Sequence, residues 1–265
     1  MPTEEAPERG AHFVQSLERG LAVIRAFSAE RPAMTLSEVA RTAGLTRAAT
    51  RRFLLTLADL GYMRTDGRLF SPTPRVLDLG YAYVASAGLP DVVQPHLEEL
   101  SAQVGESASV SVLEGDDILY VARVATTRIM TATVTVGTRF PAAATSMGRV
   151  LLAGITSDGL AARLARARPL TRFTVTDPGK LRAEVERVRA QGFAVVDQEL
   201  EEGLRSLAVP LHDASGSVVA AANVSTHAGR TPLEEMGRRL LPALRETAAR
   251  IEADLASVTR RGAGV

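Results

Sequence analysis

Apolar residues Phe13, Leu17, Leu21, Ile24 and Phe27 recur at spacings of three and four, which predicts an amphipathic helix over residues 13–28. Arg31-Pro32 ends it, because a proline drives the residue before it out of the helical region. Thr35-Leu-Ser-Glu38 reads as a capping box, in which each side chain satisfies the other residue's orphan backbone N–H. The short helix it opens turns Leu36, Val39 and Ala40 inward and stops at Gly44. A third helix runs from Thr46 to Leu60, with Thr50, Phe53, Leu54, Leu57 and Leu60 on one face. Arg47, Ala48, Arg51 and Arg52 point elsewhere and crowd its first two turns. Tyr62–Thr65 and Arg68–Ser71 then flank Asp66-Gly67, a strong hairpin signal.

Beyond Pro72 and Pro74, Arg75 to Ala87 reads as a linker helix, and Asp91 to Val104 as another after Gly88-Leu-Pro90. The period then changes to two. Strands are expected at Ser107–Leu113, Ile118–Val124, Thr131–Val136, Phe193–Asp197, Leu204–Leu211 and Ser217–Ser225. Helices are expected at about 146–166 and 180–191, and a long one at 233–257 is expected to kink at Pro242. Strands in runs with helices between and after them predict an α+β domain on a mostly antiparallel six-stranded sheet. The expected domains are therefore a winged helix-turn-helix at 13–74, a linker helix at 75–89 and a larger domain at 90–257.

Charge sharpens the reading of the first part. Residues 9–75 hold eleven arginines and five acids, a net +6, against −2 for residues 76–265. Two helices around a glycine turn, with arginines at the start of the second and a hairpin after it, form a winged helix-turn-helix pattern. A major groove admits one helix, and arginine grips guanine O6 and N7 with two hydrogen bonds. The expected DNA-contacting set is Thr35, Thr46, Arg47, Ala48, Arg51 and Arg52, with Arg64 and Arg68 in the wing. A winged helix used for protein contact is the competing reading.

The chain has no cysteine, so disulfides and thiolate chemistry are excluded. No stretch approaches twenty consecutive apolar residues, and Met1 to Glu8 is acidic and polar, so no membrane partner and a cytoplasmic location are expected. Phosphate-binding and nucleophile-elbow motifs are missing, and His12, His96, His212 and His227 are scattered. No catalytic residue, cofactor or metal is expected. Glu199, Glu201 and Glu202 read as a solvated loop. One segment carries site chemistry: a loop of small residues from Gly137 leads into a helix whose first turn is Thr145, Ser146, Met147 and Gly148. The free N–H groups of a helix start suit a carboxylate, although simple capping and close packing explain the same residues.

Ser16-Leu-Glu-Arg-Gly-Leu21, Leu36-Ser-Glu-Val-Ala40, Gly44-Leu-Thr-Arg47 and Arg52-Phe-Leu-Leu-Thr-Leu57 open an ordered series of short matches. Leu60-Gly-Tyr62, Gly137-x-x-x-Pro141, Gly148-Arg149, Gln191-Gly-Phe193, Asp197-Gln-Glu199, Gly203-Leu-Arg205 and Val224-Ser225 continue it. In this order the chain resembles the IclR family of transcription regulators over about residues 14–256. The resemblance implies a winged-helix domain, a linker helix, a GAF-like effector domain, and homodimers often paired into tetramers. Ser28-Ala-Glu30, Thr65-Asp-Gly-Arg68, Leu113 to Tyr120 and Asn223 to His227 are similar to the Pca/Pob branch. Its members regulate catabolism of protocatechuate, 4-hydroxybenzoate and β-ketoadipate. Carried over, the effector pocket comprises Ser146 and Met147 at the helix start, Ser206, Asn223 and Ser225 as polar groups, and Ile129 and Leu204 as apolar lining. Arg149 and Ser206 stand where many members have lysine and cysteine. The implied partners are double-stranded DNA with an approximately palindromic operator and a small carboxylic acid. An enzyme with an appended DNA-binding module and a nucleotide-sensing GAF-like module remain the alternatives.

Overall fold

The computed structural model describes residues 10, 12–28, 31–77, 79, 89–126 and 134–262. The chain forms two compact units, Met1–Ser86 and Ala87–Val265. In the first, α1 (Gln15–Arg25), α2 (Leu36–Ala43) and α3 (Arg47–Asp59) surround a core of Val23, Met34, Val39, Leu54, Met63 and Phe70. Strands β1 (Met34–Thr35), β2 (Met63–Thr65) and β3 (Leu69–Pro72) make a small antiparallel sheet with β3 in the middle. The helix periodicity of α1 misleads in one respect. Leu17 and Leu21 are 62% and 46% exposed, and the core takes Val23 and Ala26 instead. Of the linker helix expected over 75–89, only residues 75–77, in the 3-10 turn Pro74–Leu77, and residues 79 and 89 are described, so most of it lies outside the described residues.

The second unit is built on a six-stranded antiparallel sheet in the order β6-β5-β4-β9-β8-β7. Its strands are β4 (Ser107–Glu114), β5 (Asp117–Val124), β6 (Arg139–Pro141), β7 (Ala194–Asp197), β8 (Leu204–His212) and β9 (Val218–His227). The strand expected at Thr131–Val136 is not the sixth. Residues 131–133 lie outside the described set, 134–136 carry no strand, and Arg139–Pro141 pairs with β5 instead.

Period-two alternation divides this sheet into two faces with different jobs. On β9, Ala220, Ala222 and Val224 enter a core with α4 (Leu89–Val104) and the C-terminal helix. On β8, Leu207, Val209 and Leu211 do the same, as do Ala108, Val110 and Val112 on β4. The interleaved residues Ser206, Ala208, Ala221, Asn223 and Ser225 therefore look to the opposite face, where α5 (Ser146–Ala153), α6 (Ser157–Leu164) and α7 (Pro178–Gln191) pack. The single helix expected over 146–166 is broken at Gly154. A Cβ there would sit 2.8 Å from that of Val218, so the chain turns at the one residue that allows the approach. Arg189 then binds the freed carbonyls of Ala153 and Ile155 at 2.9 and 3.2 Å. Near the C-terminus a π-helical turn, Met236–Leu240, precedes α8 (Leu241–Gly262). Pro242 sits in the first turn of α8, and the π-turn stands where the kink was expected, as the missing proline N–H predicts.

Candidate DNA-reading helix and effector pocket

The helix-turn-helix is assembled by local chemistry. Thr35 N–H donates to Glu38 Oε2 at 2.7 Å and Glu38 N–H to Thr35 Oγ1 at 3.4 Å, the reciprocal capping box. The Thr35 hydroxyl, which donates to the same carboxylate oxygen at 2.7 Å, and then the Thr35 N–H hold the Glu38 carboxyl below its usual pKa of 4.5. Gly44 takes a left-handed conformation, φ 66°, that closes α2 and sets the turn into α3. Thr46 caps α3 by accepting from Ala49 N–H at 3.2 Å, and Thr50 and Leu54 anchor the helix in the core. Arg47, Ala48, Arg51 and Arg52 are left on its exposed side. In the wing, Asp66 Oδ1 accepts from the N–H groups of Arg68 and Leu69 at 2.9 and 2.7 Å, fixing a turn in which Gly67 has φ 93°. Arg64 and Arg68 are exposed, and Arg64 Nε donates to Ser71 Oγ at 3.0 Å. None of these five arginines is in an ion pair with another described residue. Their charge is free to meet phosphate or a base edge.

The second site lies where the polar face of the sheet meets the start of α5. Thr145 Oγ1 caps α5 by accepting Gly148 N–H at 3.0 Å, so the N–H groups of Ser146 and Met147 have no intrahelical acceptor. The 3-10 turn Ala142–Ala144 presses so closely that a Cβ on Gly148 would lie 2.0 Å from the Ala142 carbonyl oxygen. Only glycine fits, and this close approach fixes where the helix start points. The cavity in front of it is lined by Ser146, Met147, Leu204, Ser206, Asn223 and Ser225, six residues expected for the effector pocket. The seventh, Ile129, lies outside the described residues. Asn223 Nδ2 donates to Ser225 Oγ at 3.0 Å, while Asn223 Oδ1 and Ser146 Oγ are buried without a partner.

Tyr120, Arg123, Val196 and Leu200 also line the cavity and were not among the expected residues, and Thr145 of the expected helix start lines it too. A β-bulge hides the first two. The β4–β5 register shifts between Val110 and Ser111, so Tyr120 opposes Ser111 and Arg123 opposes Ser109. Both therefore face the pocket, although three residues apart, which strict alternation forbids. Burial pushes the Tyr120 hydroxyl up to about 12 and holds the Arg123 guanidinium below its usual value.

Leu200 is held by a second unforeseen feature. Glu199, expected in a solvated loop, is buried and pairs with buried Arg149 of α5 at 2.6 Å. Its carboxylate also accepts Val175 N–H at 3.0 Å, and its carbonyl accepts the Thr174 hydroxyl at 2.7 Å. A glutamate among three in a loop carries no local sign of a partner fifty residues away. No metal-binding cluster of His, Cys, Asp or Glu occurs among the described residues.

A winged helix-turn-helix followed by an α+β unit with a polar, partly unsatisfied pocket defines a ligand-responsive DNA-binding regulator. The chain belongs to the IclR family of bacterial transcriptional regulators. The IclR helix-turn-helix domain matches residues 16–67, and the IclR C-terminal domain matches residues 81–253. The Pca regulon regulatory protein of Pseudomonas putida is 50% identical over 88% of this chain and 81% of its own length. A solved structure from Rhodococcus sp. RHA1, described as a candidate transcriptional regulator, is 56% identical, covers 93% of this chain and all of its own, and has a TM-score of 0.82. An IclR homologue from Microbacterium hydrocarbonoxydans, solved with 4-hydroxybenzoate, is 26% identical over 92% of this chain and all of its own, also at a TM-score of 0.82. The chain is thus a transcriptional regulator related to the Pca and Pob regulators.

Proposed function

We propose that a small carboxylic acid, bound between the start of α5 and the polar face of the sheet, controls DNA binding by the first unit. One observation carries this reading. Ser146 Oγ and Asn223 Oδ1 are buried in one cavity with nothing to bond, an arrangement that costs free energy unless a ligand or water completes it. The 4-hydroxybenzoate bound by the Microbacterium homologue and the regulon named for the Pseudomonas relative support an aromatic-acid pathway. Protocatechuate, 4-hydroxybenzoate and β-ketoadipate are the acids to test first.

The proposed division of labour is DNA reading by residues 13–74, a linker at 75–89, and effector binding by 90–257, in the cytoplasm. Thr35, Thr46, Arg47, Ala48, Arg51, Arg52, Arg64 and Arg68 make the DNA contacts. One recognition helix reads too few bases for selectivity in a genome, so the working unit is a homodimer or a pair of dimers on an approximate palindrome. Among the described residues no helix is long and apolar enough to cross a membrane.

The test is a calorimetric titration of each acid into the wild type and into Ser146→Glu, paired with operator binding by fluorescence anisotropy. The substitution puts a negative charge at the helix start, so at least one acid should bind the wild type, shift its operator affinity, and fail with the variant. No binding to the wild type, or equal binding to both, refutes the pocket.

A further inference from the structure

The end of the reading helix is bonded to the segment by which the chain leaves the first unit. The last carbonyls of a helix have no partners within it and must find donors elsewhere. Here three consecutive carbonyls at and just beyond the end of α3 find theirs in one short segment. Leu60 O accepts from Arg75 Nη1 at 3.1 Å, Gly61 O from the Thr73 hydroxyl at 2.6 Å, and Tyr62 O from the Thr73 N–H at 3.0 Å. The Arg75 guanidinium also lies over the Tyr62 ring, 5.5 Å from its centroid. Gly61 leaves space for it, since a Cβ at that left-handed position, φ 82°, would stand 3.1 Å from Arg75 Nη1. Arginine at this end of α3 also meets the negative pole of the helix dipole.

Thr73 and Arg75 flank Pro74, where the chain leaves β3 for the turn Pro74–Leu77, and beyond it the chain runs on to the second unit at Ala87. The thirteen residues of α3 form a rod about 20 Å long. Thr50 and Leu54 hold it in the core near its middle, with Arg47 at one end and the bonded exit segment at the other. A displacement of the exit segment therefore tilts the rod and moves the arginines at its start, where about 0.5 Å separates a productive contact from a lost one. We propose that Arg75 and Thr73 form the joint through which a ligand of the second unit changes operator affinity, by making the exit segment and α3 move as one piece. Both are positioning residues that act through α3. The proposal rests on the reading that an acid bound in the second unit controls DNA binding.

The ratio of operator affinities with and without acid reads the joint apart from folding or charge, which alter both affinities together. Fluorescence anisotropy measures it at fixed ionic strength for full-length wild type, Arg75→Met, Arg75→Lys and Thr73→Val, with 4-hydroxybenzoate, protocatechuate and β-ketoadipate each at saturation. Wild type should show a change of about 5-fold or more with at least one acid. With that acid, Arg75→Met should cut the ratio by about two-fold or more while its acid affinity in calorimetry stays at the wild-type value. Thr73→Val keeps the side-chain shape, loses the hydroxyl bond to Gly61 and should cut the ratio as well. Arg75→Lys keeps a charged donor and should retain part of it. Arg75→Met with the wild-type ratio overturns the joint and leaves control by the acid standing. A wild-type protein whose operator affinity none of the three acids changes overturns both. Should Arg75→Met fail to melt cooperatively, Thr73→Val decides, and the wild-type ratio in that variant overturns the proposal.

Discussion

Removing Glu199 should destabilise the second unit far more than its loop position suggests. The Arg149 and Glu199 side chains are 3% and 8% exposed, so their ion pair is shielded from water. Glu199→Ala would leave the Arg149 guanidinium with only its Nε bond to the Ala143 carbonyl at 3.1 Å, and Val175 N–H without its acceptor. Breaking a buried pair from one side costs about 3–5 kcal/mol, because an uncompensated charge remains inside. An exposed pair would cost under about 1 kcal/mol. For a domain of this size each kcal/mol lowers the melting temperature by about 2–4 °C, which predicts a fall of about 6–20 °C. Thermal melting followed by circular dichroism measures it. The double variant Arg149→Met/Glu199→Leu removes both charges and should recover most of the loss, a non-additivity that identifies direct coupling. A single-variant shift of only a degree or two, or a double variant equal to the sum of the singles, refutes the reasoning. Because Leu200 follows Glu199 into the pocket wall, Glu199→Ala should also weaken acid binding.

Four further substitutions have outcomes that follow from the geometry. Gly148→Ala places a methyl group against the Ala142 carbonyl and should cost about 1–3 kcal/mol by overpacking, with weaker acid binding in calorimetry. Arg51→Ala should weaken operator binding by about 1–3 kcal/mol and relax one position per half-site, whereas Arg68→Ala should weaken all sequences alike and reduce the salt slope by about 1, both read by anisotropy against salt concentration. Thr35→Ala should destabilise the first unit at neutral pH. The folded-state Glu38 carboxyl titrates below 4.5, so the difference from wild type should shrink as pH falls through that lowered value, as urea denaturation across pH would show.

Legibility in the sequence tracked how local each cause is. The capping box of α2, the Gly44 turn and the Asp66-Gly67 hairpin act over two to four residues, and the expected residues make them. Strand alternation likewise puts Asn223 and Ser225, two apart on one strand, on one face, because period two survives wherever the ladder is regular, whereas Ser206 on the neighbouring strand is reached only through the family resemblance. What stayed hidden depends on distant or irregular contacts. The β-bulge that turns Arg123 into the pocket leaves no signature in Ile118 to Val124. The Arg149–Glu199 pair joins residues fifty apart in sequence. The break at Gly154 comes from the approach of Val218, and the exposed Leu17 and Leu21 show that periodicity names an apolar face without saying that the unit's own core covers it.

A crystal structure of the full-length protein grown with an acid that binds in calorimetry tests the account most directly. It should show the acid in the cavity between the start of α5 and Asn223, with a carboxylate accepting from the Ser146 and Met147 N–H groups or from Arg123. An acid bound elsewhere, or a cavity that holds only water at saturating acid, would contradict it.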